Sequence, residues 1–213
     1  MTIEHIHQSQ QTLAYGAPLD EATAAVILVH GRGASAESMA ELAAYLPTDG
    51  IAYLMPQAAG HTWYPNSGFG PFAANEPYLS SAMATVRDLV QRVHDAGIPD
   101  DKIILGGFSQ GSTLISEFAA RNATRYGGIL IFSGALMGPP DTPRDYAGSF
   151  DGTPVFIGGV NNDPWVSEAQ LRQTAEVYTR MGANVTLDIV PGATHSIRQT
   201  EIEQAAKRIA AVS

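Results

Sequence analysis

Six runs of consecutive apolar residues, alternating with stretches of helical period, constrain this chain more than any other feature it carries. The runs AAVILVHG, IAYLMPQ, KIILGGF, GGILIFSGA, TPVFIGGV and NVTLDIVPG occupy residues 24–31, 51–57, 102–108, 127–135, 153–160 and 184–192. Most lack a polar residue at every second position, so both faces of each strand must be covered. Strands of that kind belong to a mostly parallel sheet with helices on both faces, an α/β architecture. The stretches between them supply the cover. In the clearest, over 78–96, Leu79, Met83, Val86, Val90 and Val93 recur at spacings of four, three, four and three before Gly97 and Pro99 end the pattern. Further helices are expected over 36–46, 111–125, 167–181 and 197–212. A chain of 213 residues, 45% of them apolar, is enough for one such domain spanning 1–213.

Composition narrows the chemistry. There is no cysteine, which excludes disulfides, thiolate metal sites and a cysteine nucleophile. Twelve Lys and Arg against 21 Asp and Glu give a net charge of −9, which repels phosphate backbones and anionic bilayers. Nucleic acid is therefore not expected as a partner, nor is stable membrane association. No apolar run approaches the ~20 residues of a membrane span, and the opening MTIEHIHQSQ lacks the basic and apolar regions of a secretory signal. A cytoplasmic protein is the expectation, and nothing in the sequence argues against a homodimer.

One segment breaks the alternation. Residues 58–77 are rich in Gly, Pro and Asn yet carry Trp63, Tyr64, Phe69 and Phe72. Loops of this length inside a compact domain are functional or disordered, and four aromatic rings argue against disorder. They either pack on one another or wall a substrate pocket, and the two readings are compatible. Trp165 is grouped with them as a pocket residue.

The chemistry centres on Gly107-Phe108-Ser109-Gln110-Gly111, a GxSxG placed after a strand and before a helix. At such an elbow the serine stands on a tight turn above the sheet, and the flanking glycines let strand and helix approach. A serine hydroxyl is a weak nucleophile near neutral pH and needs a base, and with this elbow the chain order is Ser, acid, His. His195, in PGATHSI, is the one histidine downstream of Ser109. Five aspartates, Asp141, Asp145, Asp151, Asp163 and Asp188, lie between them. Asp163 is favoured because it follows a strand at its carboxyl end, where open α/β sheets place ligands. Asp141 is the runner-up. An oxyanion hole needs two donors. One is the backbone N–H of Gln110, and the loop VHGRGAS offers the other at Arg32, between Gly31 and Gly33. His30 is read as a brace of that loop.

Taken together, HGRG, WYP, NEPYLSSA, GFSQG, FSGAL, DPWV and PGATHSI resemble the phospholipase/carboxylesterase family of α/β-hydrolases, which includes carboxylesterases, lysophospholipases and acyl-protein thioesterases. The likeness runs from Ala24 onward. It implies the α/β-hydrolase fold, Ser109, Asp163 and His195 as catalytic residues, and the backbone N–H groups of Arg32 and Gln110 as the oxyanion hole. The sequence departs from the family's better-known members in three places: HGRGA replaces HGLGD, Ser112 replaces the final Gly of GFSQGG, and DPWVS replaces DPxVP. HGRG, WYP and NEP together are similar to a bacterial subgroup of small esterases. The resemblance therefore implies a small-molecule ester substrate with a short to medium acyl chain, with lysophospholipid or acyl thioester cleavage as the alternative.

Arg32 is expected either to pair with Glu76 or to contact an anionic group on the substrate, with a solvent-facing side chain as the third option. Two readings of another class compete with the serine hydrolase. A metal enzyme would rest on His5 and His7 alone, facing one side of an N-terminal strand without a carboxylate cluster, so no metal is expected. A non-catalytic binding protein on the same fold would be expected to have lost Ser or His. No dinucleotide fingerprint is present, and no cofactor is expected.

Overall fold

The computed structural model describes residues 5–212. Its centre is a seven-stranded sheet in the order β1-β3-β2-β4-β5-β6-β7. The strands are β1 (Thr12–Gly16), β2 (Ala24–Val29), β3 (Ile51–Pro56), β4 (Ile103–Phe108), β5 (Gly128–Phe132), β6 (Pro154–Val160) and β7 (Asn184–Val190). All neighbours pair in parallel except β1, which lies antiparallel on β3 with Thr12 opposite Pro56. This is the mostly parallel α/β sheet expected from the apolar runs, and it agrees with the α/β-hydrolase fold that the resemblance implies.

The continuous apolar strands divide their side chains between two cores. Along β2, Ala25, Ile27 and Val29 enter one core, and Ala24, Val26 and Leu28 enter the other. Each large side chain so buried contributes about 1.5–3 kcal/mol. Helices α2 (Tyr78–Asp95), α3 (Gln110–Arg121) and α4 (Glu168–Arg180) cover the first face, and α1 (Ala36–Ala43) and α5 (Gln199–Ala210) the second. Leu79, Met83, Val86, Val90 and Val93, the periodic stripe of α2, all lie in the first core. Helix α4 begins with a capping box in which Ser167 and Gln170 satisfy each other's backbone N–H groups.

The expectation for the N-terminus is corrected. Residues 6–10 form bends and turns and His5 has no regular structure, so His5 and His7 do not lie on a strand, and the first strand is Thr12–Gly16. His7 turns inward and is buried. Its Nδ1 accepts from Ala59 N–H at 3.1 Å and its Nε2–H donates to the Trp63 carbonyl at 3.0 Å. With Ile6 and His7 N–H both donating to Ser81 Oγ, this segment ties the start of the chain to the aromatic loop and to α2.

Candidate active site

The serine sits on a strained elbow. Ser109 has φ 53° and ψ −116°, a region costing a non-glycine residue about 1–3 kcal/mol. The neighbouring glycines are sterically required. A Cβ on Gly107 would lie 2.7 Å from the Gly111 carbonyl carbon, and one on Gly111 would lie 2.2 Å from the Val29 carbonyl oxygen. The tight βα turn thus exists because neither position carries a side chain, and Ser109 N–H anchors it on the Phe132 carbonyl at 3.0 Å.

Three loops at the carboxyl ends of parallel strands then converge. His195, after β7, has Nδ1 2.7 Å from Asp163 Oδ2 and Nε2 2.7 Å from Ser109 Oγ. A carboxylate only accepts, so Nδ1 carries the proton and Nε2 is left to accept from the serine hydroxyl. The Asp163 side chain is 1% exposed. Its other oxygen, Oδ1, accepts from the N–H groups of Trp165 at 2.8 Å and Val166 at 3.1 Å. Phe108 lies against the His195 ring with centroids 5.0 Å apart. The runner-up acid is elsewhere: Asp141 is exposed, and Asp188 binds Arg198 at 2.9 Å.

The HGRG loop lies beside the serine: a Cβ on Gly31 would sit 3.3 Å from Ser109 Cβ. His30 braces it as expected, donating from Nδ1 to the Gly31 carbonyl and accepting the Ala58 N–H on Nε2. Burial holds this imidazole below its ordinary pKa and therefore neutral. Among the described residues, neither the Arg32 nor the Gln110 backbone N–H meets a protein acceptor.

A cleft of about 640 Å³ opens over Ser109 and His195. Of the five side chains assigned to the pocket, Tyr64, Phe69 and Trp165 line it, with Trp165 71% exposed at the mouth. Trp63 and Phe72 do not. Trp63 is fully buried in the core, its indole N–H on the His30 carbonyl at 2.9 Å. Phe72 packs beneath the Arg121 guanidinium, 5.0 Å from it. Sequence spacing alone does not say which ring of a loop turns inward. Phe108 and Val166 also line the cleft; neither was assigned to it, although Phe108 stands within the GxSxG and Val166 within DPWV.

The expected Arg32–Glu76 pair does not form. Arg32 Nη1 donates to the Pro65 carbonyl at 2.8 Å, and Nη2 donates to those of Tyr64 at 3.0 Å and Asn66 at 2.7 Å. Glu76 instead accepts the Ser80 N–H in the first turn of α2. The metal reading finds no support at His7, whose ring nitrogens are both engaged. Among the described residues there is no group of three or more His, Cys, Asp or Glu able to hold a metal ion.

The model of the phospholipase/carboxylesterase family matches residues 13–213. The chain belongs to that family. Membership makes it an α/β-hydrolase of the ester-cleaving class. Among curated relatives of this family member, acyl-protein thioesterase 1 of Debaryomyces hansenii is 29% identical over 206 residues, covering 86% of this chain and 89% of that protein. Acyl-protein thioesterase 1 of Candida albicans is 28% identical over 212 residues, covering 88% and 91%. Among solved structures, a phospholipase/carboxylesterase from Dyadobacter fermentans is 37% identical with a TM-score of 0.92, covering 98% of this chain and all of that one. The Bacillus cereus carboxylesterase shares the fold, with a TM-score of 0.73 at 16% identity, covering 96% of this chain and 95% of that one. No described helix of this family member is long and apolar enough to cross a membrane.

Proposed function

We propose that the protein is a serine carboxylesterase that cleaves short to medium acyl esters of small molecules through an acyl-enzyme. The observation that carries this reading is the unbroken relay from Asp163 through His195 to Ser109, both links 2.7 Å, beneath an open cleft. Ser109 Oγ attacks the acyl carbon while His195 Nε2 takes its proton, and Asp163 holds the imidazole in the tautomer that permits this. The carbonyl oxygen, as it becomes tetrahedral, is received by the backbone N–H groups of Arg32 and Gln110. His195 returns the proton to the departing alcohol. Water, activated by the same imidazole, then attacks the acyl-enzyme and releases the acid.

The loop over 58–77 contributes the Tyr64 and Phe69 wall, and the proposed setting is the cytoplasm, without metal or cofactor. Acyl thioesters are the second reading, favoured by the two fungal relatives described as acyl-protein thioesterases. The same steps apply with a thiol as leaving group.

The deciding measurement is hydrolysis of chromogenic esters from acetate to dodecanoate by the wild type and Ser109→Ala, with a chelator present. The variant should lose ~10⁴ to 10⁶ in turnover, and a fluorophosphonate probe should label the wild type at Ser109 alone. Equal activity of the two proteins rejects the mechanism. Parallel thioester assays decide between the two leaving groups.

A further inference from the structure

The two proposed oxyanion donors come from different loops, Arg32 after β2 and Gln110 after β4, and a hole built from two loops works only if their separation is fixed. Their side chains meet on one atom. Arg32 Nη2 donates to the Tyr64 carbonyl oxygen at 3.0 Å, and Gln110 Nε2 donates to the same oxygen at 2.7 Å. The Thr62 hydroxyl approaches it at 3.2 Å. Around this point the loop backbone is held on every side. Gln110 Oε1 accepts the Trp63 N–H at 2.8 Å, Arg32 also binds the Pro65 and Asn66 carbonyls, and the Tyr64 hydroxyl donates back to the Gln110 carbonyl at 3.2 Å. Buried Asn75 closes the far end, accepting the Asn66 N–H and donating to the Ser67 carbonyl.

We propose that the Tyr64 carbonyl is the keystone of the oxyanion hole, with the Arg32 and Gln110 side chains acting as positioning groups that set the distance between their own backbone N–H donors. This rests on the assignment of those N–H groups to the hole. Gln110 is buried, so its carboxamide has a single set of partners and its orientation is dictated: the oxygen must face Trp63 N–H and the nitrogen the Tyr64 carbonyl. Arg32 is exposed but tridentate, and lysine, with one nitrogen, cannot reproduce its fork. The arrangement is preorganised, with its ordering complete before the substrate arrives, as stabilisation of a developing oxyanion requires. It also separates two roles for Arg32. Among the described residues it is, apart from His195, the one Arg, Lys, His, Asp or Glu lining the cleft, so an acidic-substrate receptor is the competing role.

The test is steady-state kinetics of Arg32→Ala, Arg32→Lys, Gln110→Glu and Arg32→Ala/Gln110→Glu on matched neutral and acidic esters, with affinity for a trifluoromethyl ketone measured alongside. Displacing a donor by an ångström costs up to about 100-fold in rate, so each single variant should lose on the order of 10-fold to 100-fold in kcat, with KM within about threefold. The ketone should weaken by the factor lost in kcat/KM, because both depend on the oxyanion donors. Neutral and acidic esters should suffer equally. The double variant should lose less than the product of the single losses, since both side chains act through one oxygen. Methylguanidinium should restore part of the kcat of Arg32→Ala, a result that loss of fold would not produce. A loss confined to acidic esters makes Arg32 a substrate receptor and overturns the proposal, as do single variants with wild-type kcat or strictly multiplicative losses. Failure of the esterase reading is separate, because it appears in Ser109→Ala and the phosphonate probe.

Discussion

Asp163 shows how backbone contacts decide what a side chain can do. Its Oδ1 is held by the Trp165 and Val166 N–H groups, which leaves Oδ2 for His195. In Asp163→Asn the amide oxygen would stay with those two donors and turn its NH₂ toward Nδ1. The imidazole would be forced into the other tautomer, with its proton aimed at Ser109. Turnover should fall by roughly 10³- to 10⁴-fold while the thermal midpoint barely moves, and kinetics together with calorimetry on one preparation check both halves. At this scale the sequence was most informative where chain order and strand position constrain geometry: the His picked out by order lies within hydrogen-bond distance of both the Ser of the motif and the Asp at the end of β6. It was least informative for Arg32, because three of its partners are main-chain carbonyls, and every residue has one. Trp63 and Phe72 show the same limit, since residue type does not record which way a ring in an irregular loop faces.

Among the elements, the βα elbow is the least tolerant. A methyl group at Gly111 meets the Val29 and His30 carbonyl oxygens at 2.2 and 2.5 Å, and backbone oxygens cannot rotate aside. Gly111→Ala should therefore cost about 3 kcal/mol or more, toward the upper end for overpacking, and move β2 away from α3; urea unfolding measures the loss. The strands that carry this elbow were legible because burial on both faces leaves continuous apolar runs. Strand β1 was not, because TLAYG is short, half exposed and at an edge, where no alternation or apolar continuity is demanded. Two buried imidazoles give the fold an acid limit. Burial lowers the pKa of His7 and His30 from the ordinary value of 6.5, so the unfolded chain binds protons that the folded chain refuses. Their contribution is complete above about pH 6.5 and is lost as the pH falls through their folded values. Glu201, raised above 4.5 by burial, acts in the opposite sense at the low end of that range. The urea midpoint should drop between about pH 7 and pH 5.5, less steeply in His7→Gln, and a flat midpoint contradicts the assignment.

Across the whole molecule, distant segments are needed to hold one wall. The turn at residues 6–8 reaches Ser81 on α2 and, through His7, both Ala59 and Trp63. Removing residues 1–10 would leave the Trp63 carbonyl and the Ala59 N–H without their protein partner, each a loss of about 1–3 kcal/mol if no water replaces it. The truncated protein should melt earlier, and limited proteolysis should cut first within 58–77. Failure of that loop to become more susceptible would show that the N-terminal turn does not hold it. Beside the cleft, over residues 63–67, the loop is gripped largely through its main chain: Arg32 and Gln110 bind the carbonyls of Tyr64, Pro65 and Asn66 and the N–H of Trp63, and Asn75 binds the main chain of Asn66 and Ser67. Those groups are common to nearly all residue types, so side chains such as Phe69 can be exchanged while the grip persists. The wall is therefore evolvable: its chemical lettering can be rewritten by single substitutions, while the frame that bears it is inherited intact.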